Sequence, residues 1–198
     1  MTRDVPDESE RKAVTSKPIA LVGLRASGKS TLGALVARRL KREFVDLDIE
    51  VARLYALDHA LDVHSAPPAG LILSRVGEME FRTLESRAFL AALERRDPCV
   101  IATGGGIVEY AAHRCWLRKR AWTVWLQIPV EELALRLRSD PTPRPALLGD
   151  DPIAEIEVLS VRRAPLYAES AHFVLPGANL APEVLADAIL ARCDPPAV

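Results

Sequence analysis

Short apolar runs alternate along this chain with longer stretches in which apolar residues recur every three or four positions. Ile19 to Gly23 reads as a buried strand, and Lys29 to Leu40 as a helix with Leu32, Leu35, Val36 and Leu40 on one face. Phe44 and Val45 begin a second strand that ends at Asp46, and a further helix is expected from near Ile49. Cys99 to Thr103, Trp122 to Ile128 and His172 to Leu175 read as three more strands, with helical periodicity over 78–96, 130–138, 153–168 and 181–193. Strands alternating with helices predict an α/β fold in which a parallel sheet is covered on both faces. Two segments break the rhythm: Asp58 to Gly70, with Pro67 and Pro68, and Ser139 to Pro152, with four prolines. Both read as surface excursions of the kind that carry lids and substrate-binding loops. Residues 1–17 are polar and are expected to form a disordered tail ahead of one domain over 18–195.

Composition narrows the class. A chain of 198 residues, 49% hydrophobic and 27% charged, suits one compact domain with a real core. A net charge of -1 provides no global field for nucleic acid or an anionic membrane. No apolar run reaches the ~18 residues of a membrane helix, and the charged N-terminus lacks a signal peptide's apolar stretch. Cys99, Cys115 and Cys193 are too few and too widely spaced for a zinc site or a disulfide framework, and the histidines lack metal-ligand spacing. A cytoplasmic protein is expected.

The strongest chemical signal is Gly23-Leu-Arg-Ala-Ser-Gly-Lys-Ser30, which matches G-x-x-x-x-G-K-[ST] between a strand and a helix. Glycines let the backbone turn its N–H groups towards phosphate oxygens, and the helix start adds its positive dipole end. Lys29 supplies a point charge to the β- and γ-phosphates, and the Ser30 hydroxyl can coordinate Mg²⁺. Gly23, Arg25, Ala26, Ser27, Gly28, Lys29, Ser30 and Thr31 are therefore the candidate ATP-binding residues.

Asp46 and Asp48 follow at the end of the second strand, where an extended backbone would point both to one side. One carboxylate can then assist Mg²⁺ while the other meets an acceptor hydroxyl; alternatively one of them caps the next helix. Gly104, Gly105 and Gly106 end the next strand and allow backbone to approach a ligand closely, or simply make a tight turn. No acid closes that strand as a Walker B Asp would, which leaves Asp46 as the metal candidate.

Taken in order, the P-loop, Phe44-Val-Asp-Leu-Asp48, Glu80-Phe-Arg82, Thr103-Gly-Gly-Gly106, Arg144-Pro145 and Arg163-Ala-Pro-Leu-Tyr167 resemble the shikimate kinase family over about residues 18 to 193. The resemblance implies a three-layer P-loop NTPase fold with a five-stranded parallel sheet, a substrate-binding region near 46–82 and a lid near 139–152. It implies transfer of the γ-phosphoryl group of MgATP to the 3-hydroxyl of shikimate, giving shikimate 3-phosphate and ADP on the chorismate route to aromatic amino acids, by a monomer. On this resemblance Lys29 holds phosphates, Ser30 and Asp46 serve Mg²⁺, and Asp48 receives the acceptor hydroxyl as candidate base. Arg82 and Arg163 bind the shikimate carboxylate, Gly104 to Gly106 line that site, and Arg144 reaches ATP and the transferring phosphoryl group from the lid. The residue types agree with that chemistry: guanidiniums suit a carboxylate, and phosphoryl transfer needs positioning and charge stabilisation.

The chain also departs from the family. Asp48 and Arg82 stand 34 positions apart, and the excess falls near 58–70, where His59 and His64 read as solvated loop residues. The lid is rich in proline, which stiffens it. Arg136 and Arg138 both suit the arginine that precedes the lid and touches the nucleotide, and spacing does not choose between them. Ala26 stands where many relatives carry glycine, a change that a negative φ would tolerate. Another small-molecule P-loop kinase, for gluconate or a nucleotide, and a non-catalytic ligand sensor on the same fold remain as alternatives.

Overall fold

The computed structural model describes residues 16–139 and 152–193. Most of the segment expected to be a lid, with Arg144, and most of the N-terminal tail lie outside the described residues.

The strands are β1 (Ile19–Val22), β2 (Phe44–Asp46), β3 (Val100–Ala102), β4 (Trp122–Gln127) and β5 (Phe173–Pro176). They form one parallel sheet in the order β2-β3-β1-β4-β5. All four residues of β1 are fully buried, and all of β3 is buried, as strands covered on both faces must be. The edge strands β2 and β5 are only partly covered. The helices are α1 (Lys29–Leu40), α2 (Leu47–Asp58), α3 (Ala69–Leu93), α4 (Ala111–Arg120), α5 (Val130–Ser139), α6 (Pro152–Ser170) and α7 (Pro182–Cys193). The α/β fold with a five-stranded parallel sheet is as the sequence leads one to expect.

Register positions the chemistry. Leu21 and Asp46 both pair with Ala102, so β1, β3 and β2 end at one level. The P-loop, the acidic pair and the glycine triplet therefore open along one carboxyl edge, flanking the point where strand order reverses about β1. Thr103 locks that edge by donating its hydroxyl to the Leu21 carbonyl at 2.9 Å.

Three local expectations need correction. Asp46 and Asp48 do not share an extended segment: α2 begins at Leu47, with Asp46 as its N-cap accepting the Asp48 N–H at 3.0 Å. A short acid at the end of a strand satisfies one of the free donors of the following helix, and that outcompetes continued extension. The helix expected from residue 78 starts at Ala69 and is broken at Gly77, whose φ of 81° and ψ of 170° interrupt it just where the periodic reading began. The excursion after Asp58 is thus short, and contains a single 3₁₀ turn at Val63–Ser65. Finally, α4 escapes the periodic reading because it buries only His113 and Leu117.

Candidate active site

The P-loop curls through three residues of positive φ, Gly23 at 147°, Ala26 at 62° and Gly28 at 93°. Ala26 is therefore left-handed, contrary to the negative φ that would make an alanine comfortable there, and the backbone holds it at a cost of about 1–2 kcal/mol. Gly28 is the N-cap of α1 and has no side chain to cap with, so the first N–H groups of the helix are open to an anion. Lys29 is buried and folds back over the loop, donating to the carbonyls of Gly23 at 2.9 Å and Leu24 at 2.7 Å and to Ser27 Oγ at 3.2 Å. Ser30 and Thr31 are exposed in the first turn. Across the crevice Ser30 donates to Asp46 Oδ2 at 2.6 Å, which brings the two candidate metal residues together. No group of three or more His, Cys, Asp and Glu residues that could hold a metal ion is found among the described residues. A hydroxyl and one carboxylate fit Mg²⁺ only if substrate phosphates and water complete its oxygen shell.

Arg25 turns its side chain away from the loop towards α6, where Nη1 lies 3.8 Å from Glu155 Oε1. Its Nε and Nη2 are buried and have no hydrogen-bond partner among the described residues. Arg136, on α5, donates through Nη1 to the carbonyls of Ala26 and Ser27, each at 3.2 Å, and is held from behind by Glu132. Arg138 is exposed. The geometry thus chooses Arg136 as the arginine against the P-loop.

The glycine triplet gathers the acceptor residues. A methyl group on Gly104 would stand 3.2 Å from Asp48 Oδ1 and 3.0 Å from Glu85 Oε1. On Gly105 it would stand 3.4 Å from Arg163 Nη1, and on Gly106 2.5 Å from Arg82 Nη2. Side chains from α2, α3 and α6 therefore converge on three consecutive residues, and at Gly106 any larger residue would displace the Arg82 head. Tyr167 ties α6 to the same turn by donating its hydroxyl to the Gly105 carbonyl at 2.6 Å.

Two acids that the sequence reading did not single out hold the two arginines. Glu85, 2% exposed, accepts from Arg82 Nη1 at 2.7 Å, three residues apart on α3. Burial pushes the Glu85 carboxyl up against the opposing pull of Arg82, and the charge of Asp48 adds to the rise. Glu109, in the 3₁₀ turn after the triplet, accepts from Arg163 Nε at 2.6 Å and from Arg162 Nη2 at 2.5 Å. Burial pushes the Glu109 carboxyl up too, but the hydrogen bond from Arg162 and the charge of Arg163 outweigh it and hold it below the ordinary glutamate value. The i,i+3 spacing of Arg82 and Glu85 on a helix was a usable signal. Glu109 and Arg163 are joined only by the fold.

A mostly apolar cavity of about 370 Å³ lies behind the P-loop, between Leu24, Trp125, Leu133, Ala164 and Tyr167. None of the charged residues above lines it.

A P-loop at one strand end, beside a glycine turn on the next strand that gathers two buried arginines, is the arrangement of a P-loop phosphotransferase. The chain belongs to the shikimate kinase family: a family model described as Shikimate kinase matches residues 25–194. It is 38% identical to the shikimate kinase of Burkholderia thailandensis over 157 residues, covering 79% of each chain. It is 37% identical to that of Bordetella pertussis over 175 residues, 88% of this chain and 77% of the relative. Among solved structures it resembles shikimate kinase from Acinetobacter baumannii in complex with shikimate, with a TM-score of 0.76 and 34% identity over 91% of this chain and 95% of that one. As a member of that family the chain is an ATP-dependent kinase.

Proposed function

We propose that this chain transfers the γ-phosphoryl group of MgATP to the 3-hydroxyl of shikimate, acting in the cytoplasm as a monomer. No helix among the described residues is long and apolar enough to cross a membrane. The observation that carries the reading is the convergence of Asp48, Arg82 and Arg163 on the glycine triplet, one strand away from Lys29.

Shikimate offers one carboxylate and three hydroxyls. Arg82 and Arg163, buried and already charge-balanced by Glu85 and Glu109, hold the carboxylate through charge-assisted hydrogen bonds, with the backbone of Gly104 to Gly106 lining the same site. Asp48 accepts the proton of the reacting hydroxyl as its oxygen bonds to phosphorus and the bond to the ADP oxygen breaks. Lys29 and the open N–H groups of α1 bind the phosphates, and Arg144, expected from its motif, stabilises charge on the transferring group. Arg136 steadies the P-loop from the nucleotide side. Ser30 and Asp46 would hold Mg²⁺, which neutralises phosphate charge when bound.

ADP release coupled to a dehydrogenase, with shikimate, gluconate and nucleoside monophosphates as acceptors, tests the reading. Turnover with shikimate alone, lost in Lys29→Ala and nearly lost in Asp48→Asn, is the expected result. Turnover only with another acceptor, or shikimate binding without turnover, would overturn it.

A further inference from the structure

The acceptor arginine on α6 is clamped from the side by an acid that belongs to the glycine turn itself. Glu109 closes the 3₁₀ turn Ile107–Glu109, and its backbone is fixed at both ends. Its N–H donates to the Gly106 carbonyl at 3.0 Å, and its carbonyl accepts from Arg114 Nη1 at 3.2 Å. On that fixed backbone its carboxylate bonds two arginines, and one oxygen takes the Nε–H of Arg163 at 2.6 Å. Arg163 is 4% exposed, and its Nη1 lies over Gly105. Tyr167 donates its hydroxyl to the Gly105 carbonyl of the same turn. A planar guanidinium bonded at Nε and enclosed by its surroundings has little freedom to rotate.

We propose that Glu109 is a positioning residue for the acceptor: it sets the plane of Arg163 so that the terminal nitrogens meet the substrate carboxylate, and thereby sets acceptor affinity. The proposal rests on the reading of Arg163 as a carboxylate ligand. Arg162 shares the same oxygen, but its side chain is half exposed and solvates itself if released. Arg163 has no such option, because it is buried beside the turn. The Glu109 carboxylate is engaged by Arg162 and Arg163 and not by Lys29, Ser30 or Asp48, so the consequence falls on acceptor binding rather than on the chemical step.

The test is steady-state kinetics of the full chain with shikimate and ATP varied separately, together with calorimetric shikimate binding without ATP. Glu109→Ala is expected to raise the KM and Kd for shikimate about ten-fold or more, the size of a lost charge-assisted hydrogen bond, with kcat and the KM for ATP within about two-fold of wild type. Glu109→Gln, which keeps an acceptor oxygen, is expected to recover most of that affinity, and Arg162→Ala to leave it within about two-fold. If the alanine variant does not fold, Glu109→Met, similar in length but without an acceptor, takes its place with the same expectation. An unchanged shikimate KM in an active Glu109→Ala or Glu109→Met enzyme overturns the clamp, as does a parallel rise in the KM for ATP. Wild-type chain without shikimate-dependent ADP release would instead overturn the proposed function, so the two failures are distinguishable.

Discussion

The Ser30 hydroxyl donates to the Asp46 carboxylate at 2.6 Å, linking the first turn of the P-loop helix to the end of edge strand β2. Asp46 has a second task, because its other oxygen caps α2 at the Asp48 N–H. The helix that carries the candidate base is thus anchored to the residue that would serve the metal. Removing the Asp46 carboxylate is expected to raise the Mg²⁺ concentration for half-maximal activity by about ten-fold or more, the usual cost of losing a group that orients a metal's ligands. Titrating Mg²⁺ at fixed ATP in Asp46→Ala and Ser30→Ala would show it. An unshifted Mg²⁺ requirement in Asp46→Ala would remove Asp46 from the metal site.

The contact of Arg136 with the carbonyls of Ala26 and Ser27 separates it from Arg138. Arg136→Ala is expected to raise the KM for ATP by about ten-fold, the worth of a charge-assisted contact, with little change in the KM for shikimate. Arg138→Ala, on the exposed face of α5, is expected to stay within about two-fold on both. Kinetics of the two single variants decide, and equal effects would contradict the assignment.

Why the sequence could not choose between these arginines is a matter of helix phase. Leu133 and Ala134 are the buried residues of α5, so the turn that brings position 136 to the P-loop sends position 138 about 200° further round. That phase depends on where α5 starts, which periodicity reads only to within a residue or two. The P-loop and the glycine triplet were legible because each is a local pattern at a strand end. The Asp46–Asp48 geometry stayed open between two readings, and the structure takes the capping one, because a capping acid and a strand-end acid look alike in sequence. Glu109 was invisible for another reason: it meets Arg163 across 54 positions of chain, and nothing local to either residue announces the contact.

Ala26 offers a stability prediction independent of substrate. Its φ of 62° is adopted readily by glycine and reluctantly by alanine. Ala26→Gly should therefore stabilise the fold by about 1 kcal/mol, the relief of left-handed strain exceeding the extra entropy glycine gives the unfolded chain. Urea unfolding of the two proteins measures this. A destabilised variant would mean that the alanine methyl, packed against the core, contributes more than the strain costs.

The last prediction concerns acid. His113 is 1% exposed, with Nδ1 at 3.2 Å from the Ile107 carbonyl, Nε2 at 2.6 Å from Ser86 Oγ, and Glu85 Oε2 at 4.0 Å. Burial pushes its pKa below the ordinary 6.5, the Ile107 hydrogen bond pulls back, and the charge of Arg82 lowers it further. His172, though an exposed residue, is lowered too, by partial desolvation of its ring and then by the charge of Arg118. Above pH 6.5 both rings are neutral in the folded and the unfolded chain, and their contribution to stability is complete. As the pH falls below 6.5 the unfolded chain takes up protons first, so stability is lost down through the folded pKa, with a slope of at most about 1.4 kcal/mol per pH unit for each ring. Glu85, raised by burial, works in the opposite sense above its own unfolded value, so the wild-type slope alone is a sum of both. The difference between wild type and His113→Gln isolates the ring. Urea unfolding at pH 7.5, 6.5 and 5.5 should show the two proteins diverging least at pH 5.5 if the glutamine is the less stable at neutral pH, because only the wild type pays for a buried histidine in acid. Parallel profiles would mean that His113 titrates alike in both states.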